Sequence, residues 1–458
     1  MARGARFLVS PVANCCERQS QLSFSAVLMY DAPPVSRIAK RQIAAVVVGN
    51  ALEFYDFLTY AFFAVHIGNA FFPSRNPSSS LLLSLATFGA GFLMRPVGGL
   101  VIGRMGDRVG RKPAMLLSFS CMGIAMSGLA LTPSYASIGI TAPILVIAFR
   151  LLQGFALGGE VGPTTAYLME SAPVGRRGLY ASLQYSTQGL AVMTAGLIGV
   201  LLARVLDPEA LDVWGWRVAF LVGTLIVPFG LLIRRSLPET YEGHSKSEDG
   251  PPSTDVRPHL RIAALGAVML ASGTIAAYVM DYMTTFATVT LHMRADVAFG
   301  TTVIVGLTDF CLAPVGGWLS DRYGRKPAMM IPWVLLFGLV VPAFALITRF
   351  PTPATLLGMT AVLTVMNTFG SAPVLVSLTE ALPVSVRSGA IAITYALAIS
   401  TFGGTAQFIV TWLIVATGNP LAPAWYMMAA VGIGIAAMIA MRETAPVKVA
   451  TAPEYATT

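Results

Sequence analysis

Two similar stretches occur in the sequence: GRMGDRVGRKP at residues 103–113 and GWLSDRYGRKP at residues 317–327. In both copies a glycine precedes an Asp-Arg pair, and Gly-Arg-Lys-Pro follows after one further residue. A second pair of stretches, LMESAPVGRRG at 168–178 and LTEALPVSVRSG at 378–389, repeats at nearly the same spacing. The copies stand roughly half a chain apart, which predicts an internal repeat with the same helices in each half.

The composition of the chain is that of an integral membrane protein. Of its 458 residues, 55% are apolar and 11% are charged. A soluble globular chain carries roughly 25% charged residues, so this chain lacks the polar surface that water requires. Its apolar runs reach the roughly 20 residues that a membrane helix needs, and the alternating pattern of barrel strands is absent. The chain is therefore predicted to be an all-α membrane protein.

The apolar segments predict twelve transmembrane helices in two pseudo-symmetric six-helix bundles. The helices are placed near 43–65, 81–102, 113–131, 142–168, 178–203, 215–233, 261–285, 297–319, 327–348, 355–379, 388–416 and 424–441. The predicted parts are a disordered cytoplasmic tail at 1–36, the first bundle at 37–233, a polar cytoplasmic linker at 234–260, the second bundle at 261–442 and a cytoplasmic tail at 443–458. Ordinary polar sequence resumes at Met29, so we hypothesise Met29 as an alternative start to Met1.

Positively charged residues mark the side predicted to be cytoplasmic. Arginine and lysine concentrate in every second connecting segment, including both copies of the repeated loop, and the other segments hold few. This bias is the positive-inside pattern, and it predicts that both termini lie in the cytoplasm. The net charge of +8 follows from the same bias, so a nucleic-acid partner is not expected.

The repeated loop carries the groups that a gate between two bundles needs. The predicted gate residues are Gly103, Asp107, Arg108, Arg111, Gly317, Asp321, Arg322 and Arg325. The glycines let neighbouring helices approach closely, and the aspartates can accept hydrogen bonds at a helix N-terminus or bind an arginine across the seam between the halves. We predict a cytoplasmic latch that is closed in the outward-open state.

The first copy of the loop resembles the hallmark loop of the major facilitator superfamily at Gly103, Asp107, Arg108, Gly110, Arg111 and Lys112. FGAGFLMRPVGGLVIG at 88–103 and RLLQGFALGGEVG at 150–162 resemble its metabolite:proton symporters. TGNPLAPAWYM at 417–427 and WGWRVAF at 214–220 are similar to bacterial citrate–proton and tricarballylate symporters. The resemblance covers about residues 40–445. It implies the major facilitator fold, transport driven by protons and a bacterial inner membrane.

Ionisable residues at membrane depth are costly and mark candidate functional sites. Arg150 and Gln153 fall on one face of a predicted helix. The Arg150 guanidinium can bind a carboxylate bidentately, either that of a substrate or that of Glu53 or Asp56. A permanent internal ion pair is the alternative. The predicted substrate-binding residues are Arg150, Gln153, Asn50, Tyr278, Asn367 and Gln407.

Carboxyl groups supply the predicted coupling to protons. Asn50, Glu53 and Asp56 are spaced by three and form one polar stripe. Two carboxyl groups this close in a poorly hydrated place do not both ionise easily, so one is expected to hold a proton. Hydrogen bonding between helices is the alternative role for this stripe. The predicted proton-coupling residues are Glu53, Asp56, Asp281, Asp309 and, through the resemblance, Arg150.

The predicted function is proton-coupled import of a small organic anion by alternating access, with citrate or a related di- or tricarboxylate as the first choice. The chain shows no metal-ligand spacing, phosphate-cradling glycine loop or nucleophile triad, so no cofactor, ATP or enzymatic activity is expected, and no partner subunit is evident. The expected partners are the substrate, protons and membrane lipid. The runner-up is a proline/betaine-type symporter, because acids outnumber arginines at membrane depth. An efflux pump and a transport-dead sensor are further alternatives.

Overall fold

A computed structural model of the protein describes residues 50–51, 54–55, 57–109, 111–158, 168, 172–173, 175–235, 257–382, 391 and 394–445. The predictions that lie outside them concern the tail at 1–36, most of the linker at 234–260, nearly all of the tail at 443–458, Glu53, Asp56 and the side chains of Asp107, Arg108 and Arg111. The described residues form helices and turns without a strand, which confirms the all-α class.

The first half of the chain is a series of helices joined by short turns. Its helices are α1 (Ala64–Phe71), α2 (Pro77–Leu93), α3 (Arg95–Arg108), α4 (Arg111–Leu131), α5 (Thr141–Gly158), α6 (Arg177–Val205) and α7 (Trp216–Arg235). Residues 57–62, which precede α1, are helical as well. Short helical segments at Tyr135–Ile138 and Pro208–Ala210, and a π-helical turn at Leu211–Gly215, lie between the longer helices.

The second half is likewise a series of helices joined by short turns. Its helices are α8 (Arg257–Asp281), α9 (Ala295–Tyr323), α10 (Arg325–Arg349), α11 (Pro353–Ser371), α12 (Val374–Ala381), α13 (Gly404–Thr417) and α14 (Ala422–Ala440). A short helix at Met283–Thr285 and π-helical turns at Phe286–Thr290 and Ile399–Gly403 lie between them. The single residue between α9 and α10 is Gly324, whose φ of 107° belongs to a backbone region that residues with a side chain rarely adopt.

Nine helical stretches within the described ranges are long and apolar enough to cross a membrane. They are Pro77–Met105, Thr141–Gly158, Arg177–Val205, Leu260–Thr290, Ala295–Tyr323, Arg325–Arg349, Pro353–Ala381, Thr394–Thr417 and Ala422–Ala440. A shorter apolar helix runs over Leu116–Leu131. These stretches agree with the multi-pass prediction, and the count of twelve stays a prediction.

Local sequence signals start several of these helices. The Asn76 side chain accepts a hydrogen bond of 3.0 Å from the Ser78 N–H, and Pro77 occupies the first turn of α2. Thr352 caps α11 in the same way, with Pro353 at its start. Both pairs satisfy N–H groups that the first turn of a helix leaves unpaired, while proline has no N–H to satisfy.

The two halves meet along two pairs of helices. Helix α6 packs against α9, and α2 packs against α13. Gly178 faces Gly317 in the first pair, and a Cβ atom on either residue would overlap the other's carbonyl group. Gly89 faces Gly404 in the second pair in a similar way. Small residues therefore let the backbones of the halves approach closely on both sides of the centre.

Candidate functional site

A cavity of about 120 Å³ lies between the two halves. Helices α3 and α6 of the first half and α8 and α12 of the second contribute to its wall, together with the segment that precedes α13. Its wall is largely apolar. The polar side chains that line it are Arg95, Gln184, Tyr185, Gln188, Thr274, Tyr278, Ser371 and Tyr395. Tyr278 is the predicted substrate-binding residue that lies in this wall.

Arg95 is the cationic residue of the cavity wall. It begins α3 directly after the break in the helix at Met94, and its residue surface is only 6% exposed. Its guanidinium carbon lies 4.1 Å from the ring centre of Phe92 and 4.4 Å from that of Phe57. Within the described part of the chain, its Nε and Nη2 atoms have no hydrogen-bond partner. A buried guanidinium with free donors is a site for an anion.

Arg150 and Gln153 lie behind the cavity wall rather than in it. Nη1 of Arg150 donates a hydrogen bond of 2.6 Å to Oε1 of Gln153, and the Arg150 side chain is fully buried. The Arg150 guanidinium carbon is 4.4 to 4.9 Å from three ring centres, those of Phe57, Tyr60 and Phe88. Nη2 also donates to the Phe88 carbonyl at 3.3 Å. A shell of aromatic rings therefore holds this charge.

Two predicted acids, Asp281 and Asp309, lie near one another in the second half. Both are buried, and Asp309 accepts a hydrogen bond from the Thr368 hydroxyl. Tyr185, which lines the cavity, lies within electrostatic range of both carboxyl groups. Among the residues that the structure describes, neither acid forms an ion pair with an arginine or lysine. Neither acid is among the described residues that line the cavity, and Tyr185, which lines it, lies close to both.

The remaining predicted substrate residues are buried outside the cavity wall. Asn50 donates to the Thr187 hydroxyl at 2.7 Å, which ties the helical residues 50–51 to α6. Asn367 donates to the Tyr185 hydroxyl at 3.5 Å and accepts from Ser371 at 3.2 Å, so it supports two residues of the wall. Gln407 is buried, and both of its amide atoms lack a hydrogen-bond partner in the described part of the protein.

Asp321 joins the two halves on the side predicted to be cytoplasmic. Its two carboxylate oxygens accept hydrogen bonds of 2.9 Å from the backbone N–H groups of Gly178 and Leu179, at the start of α6. Arg325 donates to the same carboxylate at 2.7 Å. A residue of the second half therefore supplies the negative charge that the N-terminus of a first-half helix favours.

Arg325 and Glu443 extend this network. The buried Arg325 guanidinium forms two parallel hydrogen bonds of 3.0 Å with Glu380. The Glu443 carboxylate accepts hydrogen bonds of 2.9 and 3.0 Å from the N–H groups of Arg325 and Lys326, at the start of α10. Partial burial would raise the pKa of Glu443, but these donors and those of Thr444 and Ala445 outweigh burial and lower the pKa of Glu443 below its ordinary value.

Three predicted gate residues differ in what surrounds them. Gly317 is packed tightly against Gly178, as the sequence suggests. Gly103, its counterpart in the repeat, has no described neighbour within 4 Å of where a Cβ would stand, so the expected close approach is not seen there. Arg322 is exposed and lies over the rings of Trp318 and Tyr323, apart from the Asp321 network.

Sequence reasoning missed two residues of these sites. From the sequence, Arg95 is one of the ionisable residues at membrane depth, and its place just before Pro96 favours the latch of the repeated loop over a substrate role; the same Arg-Pro pair marks the break after α2. Glu443 follows the last helix and was placed in a tail. An acid that reaches back to a helix N-terminus more than a hundred positions earlier leaves no local signal.

A membrane protein in which two helical halves enclose a cavity has the architecture of a transporter. The family model described as "Major Facilitator Superfamily" matches residues 46–308 of this chain. The family model described as "Sugar (and other) transporter" matches residues 252–454. The chain belongs to the major facilitator superfamily. This confirms the predicted family, and because its relatives are transporters it also confirms that the chain is not an enzyme.

Similar proteins of known name are membrane transporters. The citrate-proton symporter of Klebsiella pneumoniae is 36% identical over 431 residues, which cover 93% of this chain and 96% of that protein. The proline/betaine transporter of Salmonella typhimurium is 32% identical, over 90% of this chain and 85% of that protein. Among solved structures, a D-xylose-proton symporter has a TM-score of 0.72 and 19% identity, over 90% of this chain and 98% of that one, which shows the shared fold.

Proposed function

We propose that the protein is a proton-coupled symporter that imports a small carboxylate, with citrate as the leading candidate, and that Arg95 binds a carboxylate group of the substrate. The main support for this proposal is the environment of the Arg95 side chain. Its guanidinium is buried at the wall of the central cavity, and two of its donor atoms have no described partner. Buried donors of a charged group that lack partners are costly, so the site favours an anion of matching geometry.

The names of the relatives support a carboxylate. Citrate, proline and betaine, which occur in the names of two similar proteins, each carry at least one carboxylate group. One arginine in the cavity wall suits this shared group. Tyr278, Tyr395 and Gln188, which line the same cavity, offer neutral hydrogen bonds to the rest of a substrate. The bacterial relatives support an inner-membrane location, with both termini in the cytoplasm as the charge pattern predicts.

Proton coupling is the second part of the proposal. We assign it to Glu53 and Asp56 together with Arg150, whose charge is enclosed by aromatic rings and is therefore sensitive to any nearby carboxylate. Asp281 and Asp309, which lie close to Tyr185, form a second candidate group. A multivalent anion has to enter with enough protons to offset its charge, because each charge that moves against 100 mV costs about 2.3 kcal/mol.

Alternating access requires a seam that opens and closes. We propose that Asp321, Arg325 and Gly317 form the closed gate on the cytoplasmic side, while the substrate enters from the other side. The hydrogen bonds from Gly178 and Leu179 to Asp321 cross the seam and support this assignment. Asp107, Arg108, Arg111 and Gly103 are proposed as the matching gate in the first half.

A zwitterion such as proline or betaine is the second candidate substrate. Asp281 and Asp309 favour it, because they place two acids close to Tyr185 of the cavity wall without a described cationic partner. A zwitterion would set its carboxylate on Arg95 and its cationic group toward these acids. Citrate remains first because the named citrate-proton symporter is more similar to this chain than the proline/betaine transporter is.

The test is uptake of labelled citrate, proline and betaine into proteoliposomes that hold the full chain, with and without an imposed proton gradient. Citrate is expected to accumulate when the outside is acidic. Arg95→Gln is expected to lower uptake by about 10- to 100-fold, because a hydrogen bond to a charged group contributes about 1.5–3 kcal/mol. Arg349→Gln, at an exposed arginine on the end of α10, is the matched control and is expected to transport normally.

The outcomes separate the parts of the proposal. Accumulation of proline or betaine without citrate selects the second candidate and keeps the role of Arg95. Normal uptake by Arg95→Gln removes that role. Accumulation that survives an ionophore able to collapse pH and voltage differences removes proton coupling. Glu53→Gln is expected to permit exchange of internal for external substrate without accumulation, and normal accumulation by this variant contradicts the assignment of Glu53.

A further inference from the structure

A line of buried polar atoms without partners runs through the first half of the protein, apart from the central cavity. Its members are the hydroxyls of Ser80, Ser84 and Tyr60, Nε2 of Gln153 and Nε of Arg150. All five residues are at most 3% exposed. In the described part of the chain, none of these atoms has a hydrogen-bond partner. Burying such an atom unpaired costs about 1–3 kcal/mol, so the concentration of five along one line requires an explanation.

The serines of α2 differ from other serines in the bundle. Ser120 and Ser127 donate to the carbonyl groups four positions earlier, at 2.8 Å each, which is the usual way for a hydroxyl in a membrane helix to be satisfied. Ser84 has the same option, because the Ser80 carbonyl lies one turn before it, yet it makes no such bond. The Ser84 hydroxyl is therefore directed at something other than its own helix.

The line has a direction along α2. Ser80 and Ser84 are one turn apart on the same face, and Ser80 follows the exposed turn at residues 73–77. The Tyr60 hydroxyl lies within reach of Ser84 and Thr87 without forming a hydrogen bond of normal geometry. The Phe88 carbonyl then accepts from Arg150 at 3.3 Å. From Ser80 to Phe88 the helix rises about 12 Å, so the line leads from one surface of the bundle to the buried arginine.

The surface where the line starts is opposite the basic loop. Arg104 and the rest of the repeated loop lie at the other end of the α2–α3 pair. The charge pattern predicts that the basic loop is cytoplasmic, so Ser80 is predicted to lie toward the outside. Arg150 is the charged side chain that the described residues place at the inner end of the line. Gly68 of α1 packs on Ser80 and closes the entrance in this conformation.

We propose that Ser80, Ser84 and Tyr60 form a water-filled path for protons, which hydrates when the outer side of the bundle opens and leads to Arg150 and its carboxylate partner. The inference rests on the proposed proton coupling for its purpose. Water is the ligand that satisfies hydroxyl and amide groups of this kind, because one molecule can donate and accept at once. The path is separate from the cavity that Arg95 lines, so the proton and the substrate enter by different routes.

Hydration is tested without any substrate. Radiolysis of water by X-rays produces hydroxyl radicals that oxidise nearby aromatic rings, and mass spectrometry locates the oxidised residue. In the full chain in lipid nanodiscs, Tyr60 is expected to be oxidised several-fold faster than Phe63, which is equally buried one turn away but packs against Phe299. The double substitution Ser80→Val with Ser84→Val is expected to slow oxidation of Tyr60 and leave Phe63 unchanged. Tyr60 as protected as Phe63 in the unaltered chain overturns the proposal.

The proton role is tested with Ser84→Val in proteoliposomes that contain a pH-sensitive dye, with citrate as the probe. An added barrier of about 1.4 kcal/mol lowers a rate tenfold, and we expect proton-driven uptake to fall by about this factor and more strongly than citrate exchange at equal pH. Ser127→Val, at a serine whose hydroxyl its own helix satisfies, is the control. Equal loss of uptake and exchange indicates a packing defect and overturns the path. Failure of the unaltered protein to move protons overturns the proposed function instead, while the oxidation result still reports whether water enters.

Discussion

Arg95 and Arg150 contact the same aromatic ring. The guanidinium carbon of each lies 4.4 Å from the ring centre of Phe57. The π-face of an aromatic ring attracts a cation by about 0.5–2 kcal/mol, so one phenylalanine helps to hold two like charges. Arg95 lines the central cavity and Arg150 lies behind its wall. The ring of Phe57 therefore connects the proposed substrate site to the proposed coupling site.

Replacing this ring tests the connection. Phe57→Leu removes the attraction to both arginines and is expected to lower citrate uptake by about tenfold, since each cation–π contact contributes about 0.5–2 kcal/mol. Phe286→Leu is the matched control, because Phe286 is equally buried and packs on Phe344, and no described arginine or lysine lies over its ring. Initial rates of uptake measure the effect. Equal losses in the two variants would indicate that packing alone, and not the cations, accounts for the result.

The carboxylate of Asp321 is expected to hold the seam closed. Asp321→Asn keeps the shape of the side chain but leaves the buried Arg325 with one charged partner fewer, and breaking a buried pair costs about 3–5 kcal/mol. We expect a lower melting temperature and a larger distance between spin labels on the cytoplasmic ends of α6 and α9. Asp207→Asn, at an exposed cap, is the control. An unchanged distance distribution would remove Asp321 from the gate.

The glycine contact at the seam sets how closely α6 and α9 approach. A Cβ on Gly317 would overlap the Gly178 carbonyl and the Ser182 hydroxyl. Gly317→Ala is expected to destabilise the closed state by about 1–3 kcal/mol, as overpacking does, and to reduce uptake accordingly. Gly338→Ala in α10, where the described residues leave open space, should be silent in both assays. Normal uptake and stability in Gly317→Ala would show that the seam tolerates a wider spacing.

Glu443 gives the stability of the protein a defined pH dependence. The pKa of Glu443 is lower in the folded protein than its ordinary value of about 4.3, so its stabilising contribution is complete above that value and is lost as the pH falls through the folded pKa. Glu443→Gln is expected to lower stability by about 1 kcal/mol at pH 7, the usual effect of losing a helix cap. The gap between the variant and the unaltered protein should close in acid.

Melting curves in detergent from about pH 7 down to a pH below the folded pKa of Glu443 measure this gap, because the contribution of the carboxylate is lost as the pH falls through that lowered value. Glu209→Gln, at an exposed residue near a turn, is the control and is expected to show no gap at either pH. A constant difference between Glu443→Gln and the unaltered protein across the range would contradict a role for the carboxylate charge.

The fold is predictable from this sequence because it depends on features that extend over many residues, namely long apolar segments and a loop that recurs half a chain later. The repeated loop and the apolar runs report the helical halves directly, and Gly317 is tightly packed where a close approach is expected. The same reasoning fails for Gly103, because a repeat of sequence does not require a repeat of contacts. The halves of an alternating-access protein occupy different positions relative to the cavity, so matching residues meet different neighbours.

The site is less predictable from the sequence than the fold is. A polar residue within a membrane helix can be recognised in the sequence, but the direction in which its side chain points cannot. Arg150 and Gln153 share a helix face as predicted, yet they bond to each other at 2.6 Å behind a layer of phenylalanine. Arg95, at a helix break, reaches the cavity. The two arginines differ in whether they line the cavity, and this difference depends on how separate helices pack.

The attachment of Glu443 to the start of α10 bears on how the protein is engineered. The last helix ends at Ala440, and a fusion junction or a protease site placed there by inspection of hydropathy would sever this carboxylate from the bundle. Reporter domains and purification handles are better fused after Ala445, and truncations are better made there. The chain then keeps the hydrogen bonds between Glu443 and the start of α10.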